Sequence, residues 1–169
     1  VVQTGDFKID YTPINGETID LARFAALGKK GVLALLMDST NATRPGFTPS
    51  ERIVGNTFSS IFSRSTDKRI IVATFSSNIH RIQQIINEAA KYGRKVAVSG
   101  RSMINTVGIA AELGYLDIPD GVLIDIDAIR RYTPEQIVIV TTGSQGEPMS
   151  ALTRMAMNDH KKVDIMPGD

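Results

Sequence analysis

The sequence predicts an α/β fold built on a mainly parallel sheet with helices on both faces. Short apolar runs rich in Val and Ile, among them RIIVATF (69–75), KVAVSG (95–100) and IVIVTTG (137–143), alternate with longer amphipathic stretches. That alternation is the pattern of parallel strands joined by right-handed helical crossovers. Each run also ends in small, hydroxyl-bearing or glycine residues, where a strand hands over to a helix N-terminus. At 169 residues, 42% hydrophobic and 22% charged, the chain has the mass and composition for one globular domain, or one domain with part of another.

The elements follow in order. VVQTGDFKID opens as a strand, breaks at a Thr-Gly turn and delivers one carboxylate, Asp6. GVLALLMD (31–38) is almost continuously apolar and ends at Asp38, as a strand buried on both faces would. A turn-rich loop, STNATRPG, leads to a helix in which Thr48 suits the N-cap, Pro49 the first helical position and Glu51 the reciprocal capping position. Ile53, Phe58, Ile61 and Phe62 fall near one face of it. The strand at 69–75 leads through Ser76 or Ser77 into a helix over 78–93, with the stripe Ile79, Ile82, Ile86 and Ala89 and a stop at Gly93. The strand at 95–100 leads into a helix over 101–116, with Ile104, Val107 and Ala111 on one face. GVLID (121–125) precedes a short helical piece around Ile129. IVIVTTG precedes a helix over 144–158, and KVDIM (162–166) closes as a short strand.

Composition excludes several chemistries. There is no cysteine, so disulfides and thiolate metal sites are absent. No stretch of 18 apolar residues occurs. The net charge of +1 confines any nucleic-acid site to a local groove. The two histidines, His80 and His160, are too few for a self-contained two-metal hydrolase. His80 sits beside Ile79 on a predicted helix, and His160, in the polar NDHKK turn, carries no assigned role. The motifs G-x-G-x-x-G, G-x-x-x-x-G-K-[ST] and G-x-S-x-G are missing, which removes the main support for dinucleotide, P-loop and serine-hydrolase readings.

Polar residues collect where a parallel sheet binds ligands, outside the carboxyl ends of its strands. Those ends read Asp38-Ser39-Thr40-Asn41, Phe75-Ser76-Ser77-Asn78, Ser99-Gly100-Arg101-Ser102, and Thr141-Thr142-Gly143-Ser144-Gln145-Gly146-Glu147. Backbone N–H groups and a helix dipole favour an anion there, while Ser, Thr and Asn are also ordinary helix caps. TTGSQGEP reads as a phosphate-cradling nest or as a plain helix start with a Gly turn. Arg101, in a first helical turn, opposes the macrodipole; it is either a partner for a bound anion or a solvent-facing charge.

TGDFKID and LLMDSTNATRPGFTPSE, with ATFSSNIHRIQQI, SGRSMINTVGIAAELGYL and IVTTGSQGEPMSAL, resemble the bacterial ribonuclease J family across essentially the whole chain. These are metallo-β-lactamase-fold nucleases carrying a β-CASP domain. The resemblance implies that residues 1–45 are the end of the metallo-β-lactamase segment and 46–169 an incomplete β-CASP domain, the chain being a piece of a larger enzyme that is inactive alone. Asp6 matches the aspartate that bridges two catalytic metals, ions that sit roughly 3.5–4 Å apart in such centres. Asp38 matches the acidic residue that orients a catalytic histidine near the scissile phosphate. The resemblance places Ser76, Ser77, Asn78 and His80, Gly100, Arg101 and Ser102, and Thr142, Gly143, Ser144, Gln145 and Glu147 along the RNA path. The H-x-H-x-D-H metal motif and a further metal-binding histidine are expected before residue 1, and two later histidine motifs after residue 169.

The implied whole is a metal-dependent 5′→3′ exoribonuclease with endonuclease capacity. It acts on single-stranded RNA in rRNA processing and mRNA decay, in the cytoplasm and without a membrane. Its metals are zinc or manganese, or magnesium, and it assembles with itself or with a paralogue. Two other readings rest on the same residues: a non-catalytic doubly wound module that binds a phosphorylated ligand, and a catalytically decayed paralogue acting as an assembly partner.

Overall fold

The computed structural model describes residues 1–14 and 16–169. The chain divides into two compact units, Val1–Ile53 and Val54–Asp169. No helix among the described residues is long and apolar enough to cross a membrane.

In the first unit, β1 (Val2–Gln3) and β2 (Leu35–Leu36) form a two-residue parallel ladder, extended by the Thr4 N–H donating to the Leu36 carbonyl at 3.0 Å. Between them α1 (Leu21–Lys30) is capped by Asp20, whose carboxylate accepts from the Arg23 N–H at 2.8 Å. That helix has no counterpart in the sequence reading. The strand expected over 31–38 and buried on both faces contracts to two residues, and Leu33 is 95% exposed. Among the described residues of this unit only β1 pairs with it, so its apolar faces remain uncovered.

α2 (Glu51–Arg64) starts two residues later than the Thr48–Pro49 signal implied. The capping is done from elsewhere: Asp10 accepts from the Glu51 N–H at 3.3 Å, and Ser50 Oγ from the Arg52 N–H at 3.3 Å.

The second unit holds a four-stranded, all-parallel sheet in the order β3-β6-β4-β5, formed by β3 (Ile70–Ala73), β4 (Lys95–Ser99), β5 (Leu123–Ile124) and β6 (Ile137–Thr141). β6 is a central strand with all five residues buried, and its alternation divides the core. Val138 and Val140 face one cluster with Phe58, Phe62, Ile82, Ile86 and Val107; Ile137 and Ile139 face the other with Ile126, Ile129, Met155 and Val163. The first cluster is covered by α2, by α3 (Ile79–Lys91) and by α4 (Arg101–Glu112). The second is covered by the 3-10 segment Ile126–Arg131, by α5 (Ala151–Ala156) and by the chain around Val163. Helices therefore flank both faces, as the alternation predicted.

α3 forms because Asn78 caps it, accepting from the Arg81 N–H at 3.1 Å, and because Ile82, Ile85, Ile86 and Ala89 recur at helical spacing, all of them 0% exposed. Full burial of each Ile contributes about 1.5–3 kcal/mol.

Several expectations are corrected here. On α2, Phe58 and Phe62 are buried but Ile53 (54%) and Ile61 (37%) are exposed. On α4 the buried stripe is Met103, Val107 and Ala110, and Ile104 is 49% exposed. Two stripes sharing Val107 have nearly the same periodicity, and spacing does not choose between them. The helix expected over 144–158 is only Ala151–Ala156, because Gly143, Gly146 and Met149 all hold positive φ (115°, 70° and 66°), which no α-helix accommodates. Residues 162–166 form no strand. Their backbone groups bond to side chains instead: the Val163 N–H to His160 Nδ1 at 3.1 Å, and the Asp164 carbonyl to Arg69 Nη2 at 2.6 Å.

Candidate nucleic-acid interface

Register builds the candidate edge. Ala73, Ser99 and Thr141, near or at the carboxyl ends of their strands, align across β3, β6 and β4. The turns that follow therefore leave the sheet on one edge. Those turns carry the predicted residues Ser76–His80, Gly100–Ser102 and Thr142–Glu147, and the structure brings all three segments together on that edge.

Each turn has a local cause. After β3, the Thr74 N–H donates to the Thr141 carbonyl at 2.9 Å, and Asn78 is engaged in capping α3. Ser77 and His80 are exposed and Ser76 is half-buried. After β4, Gly100 adopts φ 105°, and a Cβ built there would stand 2.9 Å from Thr142 Oγ1. Glycine thus meets two demands at once, the left-handed backbone and the close approach of a neighbouring turn. Arg101 and Ser102 project into solvent at the first turn of α4, and the Arg101 side chain makes no hydrogen bond or ion pair with another described residue. After β6, the Gly146 N–H donates to the Gly143 carbonyl at 3.1 Å, and Ser150 caps α5 by accepting from the Thr153 N–H at 3.2 Å. Glu147 Oε2 accepts from the Gln145 N–H at 3.0 Å. An ionised carboxylate cannot donate to a phosphate, so the geometry has Glu147 closing its own loop.

Two features at this edge escaped sequence reasoning, the buried Thr74 hydroxyl and the pairing of Ser99 with His160. Thr74 is 1% exposed and its Oγ1 has no hydrogen-bond partner among the described residues. Ser99, 3% exposed, has its Oγ 3.0 Å from His160 Nε2. No local signal announces a pair 61 residues apart. Burial, the Arg154 charge and the Lys162 charge hold the His160 pKa below its usual value, against an opposing contribution from Asp164.

In the first unit, β1 and β2 run in parallel, so Asp6 and Asp38 both follow the carboxyl ends of paired strands. The Asp38 N–H donates to Thr4 Oγ1 at 3.2 Å, and its Oδ1 accepts from the Thr40 hydroxyl at 2.7 Å and the Thr40 N–H at 3.0 Å. The Thr40 hydroxyl and then the Thr40 N–H, with smaller contributions from the Phe7 and Ser39 N–H groups and against partial desolvation, hold the Asp38 carboxyl below the usual carboxylate range. A hollow of about 580 Å³ lies beside it, lined by Phe7, Ile9, Tyr11, Asn41 and Phe47 among others. Asp6 is exposed. Among the described residues no three His, Cys, Asp or Glu side chains converge as a metal site. Asp6 can offer one ligand; the residues here do not by themselves fit a two-metal centre.

Comparison with known proteins adds the rest. Residues 67–169 match the model of the beta-CASP domain of Ribonuclease J. The whole chain is 48% identical to a Ribonuclease J of Helicobacter pylori, covering 24% of that protein. It is 47% identical to Ribonuclease J2 of Bacillus subtilis, covering 30% of it, and 48% identical to Ribonuclease J of Thermus thermophilus, covering 29%. The chain thus spans less than a third of the length of these relatives.

Proposed function

The chain belongs to the ribonuclease J family, and from that premise we propose that it is part of a metal-dependent ribonuclease degrading RNA from the 5′ end and also cutting internally. Its work is rRNA processing and mRNA decay in the cytoplasm, as an oligomer with itself or a paralogue. Residues 1–45 supply the end of the metallo-β-lactamase segment and 46–169 the β-CASP surface over which single-stranded RNA passes.

The observation that supports this most is the register of Ala73, Thr141 and Ser99, which aligns three polar turns on one edge. There, two helices of twelve or more residues, α3 and α4, begin after β3 and β4, with Arg101 in the first turn of α4. Backbone N–H groups at helix starts suit a phosphodiester chain, and exposed hydroxyls and amides suit its sugars. Asp6 is proposed as one ligand of two divalent ions, zinc or manganese, or magnesium. Bound metal would supply the activated water; Asp38 fixes the turn beside the Asp6 segment. With Asp6 as the single ligand here, residues 1–169 alone are proposed to cleave nothing.

The test is cleavage of a 5′-monophosphorylated single-stranded RNA by the full protein carrying this chain and by residues 1–169 alone. The full protein should shorten the RNA and lose that activity to a chelator. Intact RNA after incubation with the metal-loaded full protein would overturn the reading.

A further inference from the structure

The segment 159–169 crosses one face of the second unit's sheet. It starts at the carboxyl end of β4, where His160 meets Ser99, and ends at the amino end of β3, where Arg69 Nε donates to Asp169 Oδ1 at 2.8 Å and Arg69 Nη2 to the Asp164 carbonyl at 2.6 Å. Beside it runs the 3-10 segment Ile126–Arg131. Two adjoining hollows open between them. One, of about 190 Å³, is lined by Ile126, Asp127, Arg130, Lys161 and Lys162. The other, of about 250 Å³, shares Arg130 and Lys162 and adds Ile129, Tyr132 and Arg69. In the smaller hollow three cations face one carboxylate. Arg130 and Lys161 are exposed, and their side chains make no hydrogen bond or ion pair with another described residue. Lys162 Nζ pairs with Asp127 Oδ2 at 2.7 Å, but both are well exposed, and an exposed pair is worth little enough for a phosphate to replace it.

We propose that Arg130, Lys161 and Lys162 form a second RNA-binding strip, which takes the phosphodiester backbone of a single strand as it leaves the turn-bearing edge and crosses toward Arg69. In a chain of net charge +1, three cations around contiguous hollows are a local concentration and not a general basic surface. The larger hollow combines a cationic rim with Tyr132, Ile129 and Ile137 on its wall. That pairing of charge with an aromatic face is how single strands are held without sequence preference. Asp127, Asp164 and the Asp169 partner of Arg69 also face the strip; they temper its charge and disfavour simple inorganic anions over a multivalent chain. An acidic protein would meet the same cations but gains nothing from the ring-lined hollow, so RNA is the better fit.

The proposal rests on the ribonuclease reading, and its test separates the two. Full protein and its Arg130→Gln/Lys161→Gln variant are titrated with single-stranded oligouridylates of about 4 and about 16 nucleotides, the range of single-strand site sizes, at several salt concentrations. For the longer RNA the log-log salt slope should flatten by about 1.4, two contacts at about 0.7 each. The shorter RNA, filling only the turn-bearing edge, should bind the variant as it binds the wild type, and the melting temperature should not move. An unchanged long-RNA slope, with wild-type binding and cleavage intact, overturns the strip alone. Loss of polyglutamate binding in place of RNA binding overturns it in favour of an acidic partner. A wild type that binds neither oligonucleotide overturns both strip and ribonuclease reading.

Discussion

His160 Nε2 lies 3.0 Å from Ser99 Oγ, and His160 Nδ1 accepts the backbone N–H groups of Val163 at 3.1 Å and Lys162 at 3.3 Å. With Nδ1 accepting, the proton of the neutral ring sits on Nε2 and is donated to Ser99. The imidazole is therefore no base for that serine. It is a strut that ties the 160–163 turn to the end of β4.

A pH dependence follows. Burial, then Arg154 and Lys162, depress the folded-state pKa of His160, Asp164 opposing. The unfolded chain thus takes up the proton at higher pH than the folded one, and stability rises with pH between the two values. The contribution is full above the ordinary value of 6.5 and is lost as pH falls from there through the folded pKa. Melting temperatures between about pH 7.5 and 5 should fall more steeply for the wild type than for His160→Gln. Parallel profiles would mean that the ring does not titrate with folding.

Gly100→Ala should destabilise the protein by about 1–3 kcal/mol, since φ 105° is strained for any L side chain and the new methyl meets Thr142 Oγ1. Pairing it with Thr142→Ser, which trims only the methyl of that side chain, should recover little, because the backbone cost remains. Denaturant midpoints of the single and double variants measure it. A neutral Gly100→Ala would show that the turn relaxes freely.

The second unit was largely legible because its signals are local. Val138 and Val140 alternating with Ile137 and Ile139, and Ile82, Ile86 and Ala89 at helical spacing, specify strand and helix directly. The stretch 144–150 reads as the start of a helix by pattern, yet positive φ at Met149 has no sequence signature. The 162–166 stretch reads as a strand by pattern, yet His160 and Arg69 take its hydrogen bonds, a choice made by tertiary contacts. The same limit hid the Ser99–His160 pair and the Asp10 contact to the start of α2. The polar turns were visible as strand ends, whereas their alignment needed the strand order β3-β6-β4.

Arg101 provides a direct probe of the turn-bearing edge. It is exposed, unpaired among the described residues and set against the dipole of α4. Arg101→Ala in the full protein should weaken single-stranded RNA binding similarly across sequences and flatten the salt slope by about 0.7. Stability should stay within about 0.5 kcal/mol, as for a surface substitution. A loss of stability with an unmoved slope would make Arg101 structural and send the RNA elsewhere.

The two aspartates of the first unit separate by their bonds. Asp38 is committed to its own turn, holding both the N–H and the hydroxyl of Thr40, while Asp6 is exposed two residues beyond Thr4, which receives the Asp38 N–H. Removing the Asp38 carboxylate frees the Thr40 N–H and hydroxyl while the backbone bond to Thr4 stays, which loosens the 38–40 turn and disturbs the position of nearby groups without deleting a ligand. Asp38→Ala in the full protein should therefore lower kcat while metal content stays at the wild-type level, a loss of about 10–100-fold being typical for a group that orients a metal site. Asp38→Asn, which keeps an acceptor for Thr40, should recover part of it. With Asp6 as the proposed metal ligand, Asp6→Ala should instead abolish cleavage and reduce bound metal together, because a carboxylate that would hold the ions would also position their activated water. Metal analysis beside single-turnover kinetics distinguishes them. Metal loss in Asp38→Ala would make Asp38 a ligand, and full turnover by Asp6→Ala would remove Asp6 from the reaction altogether.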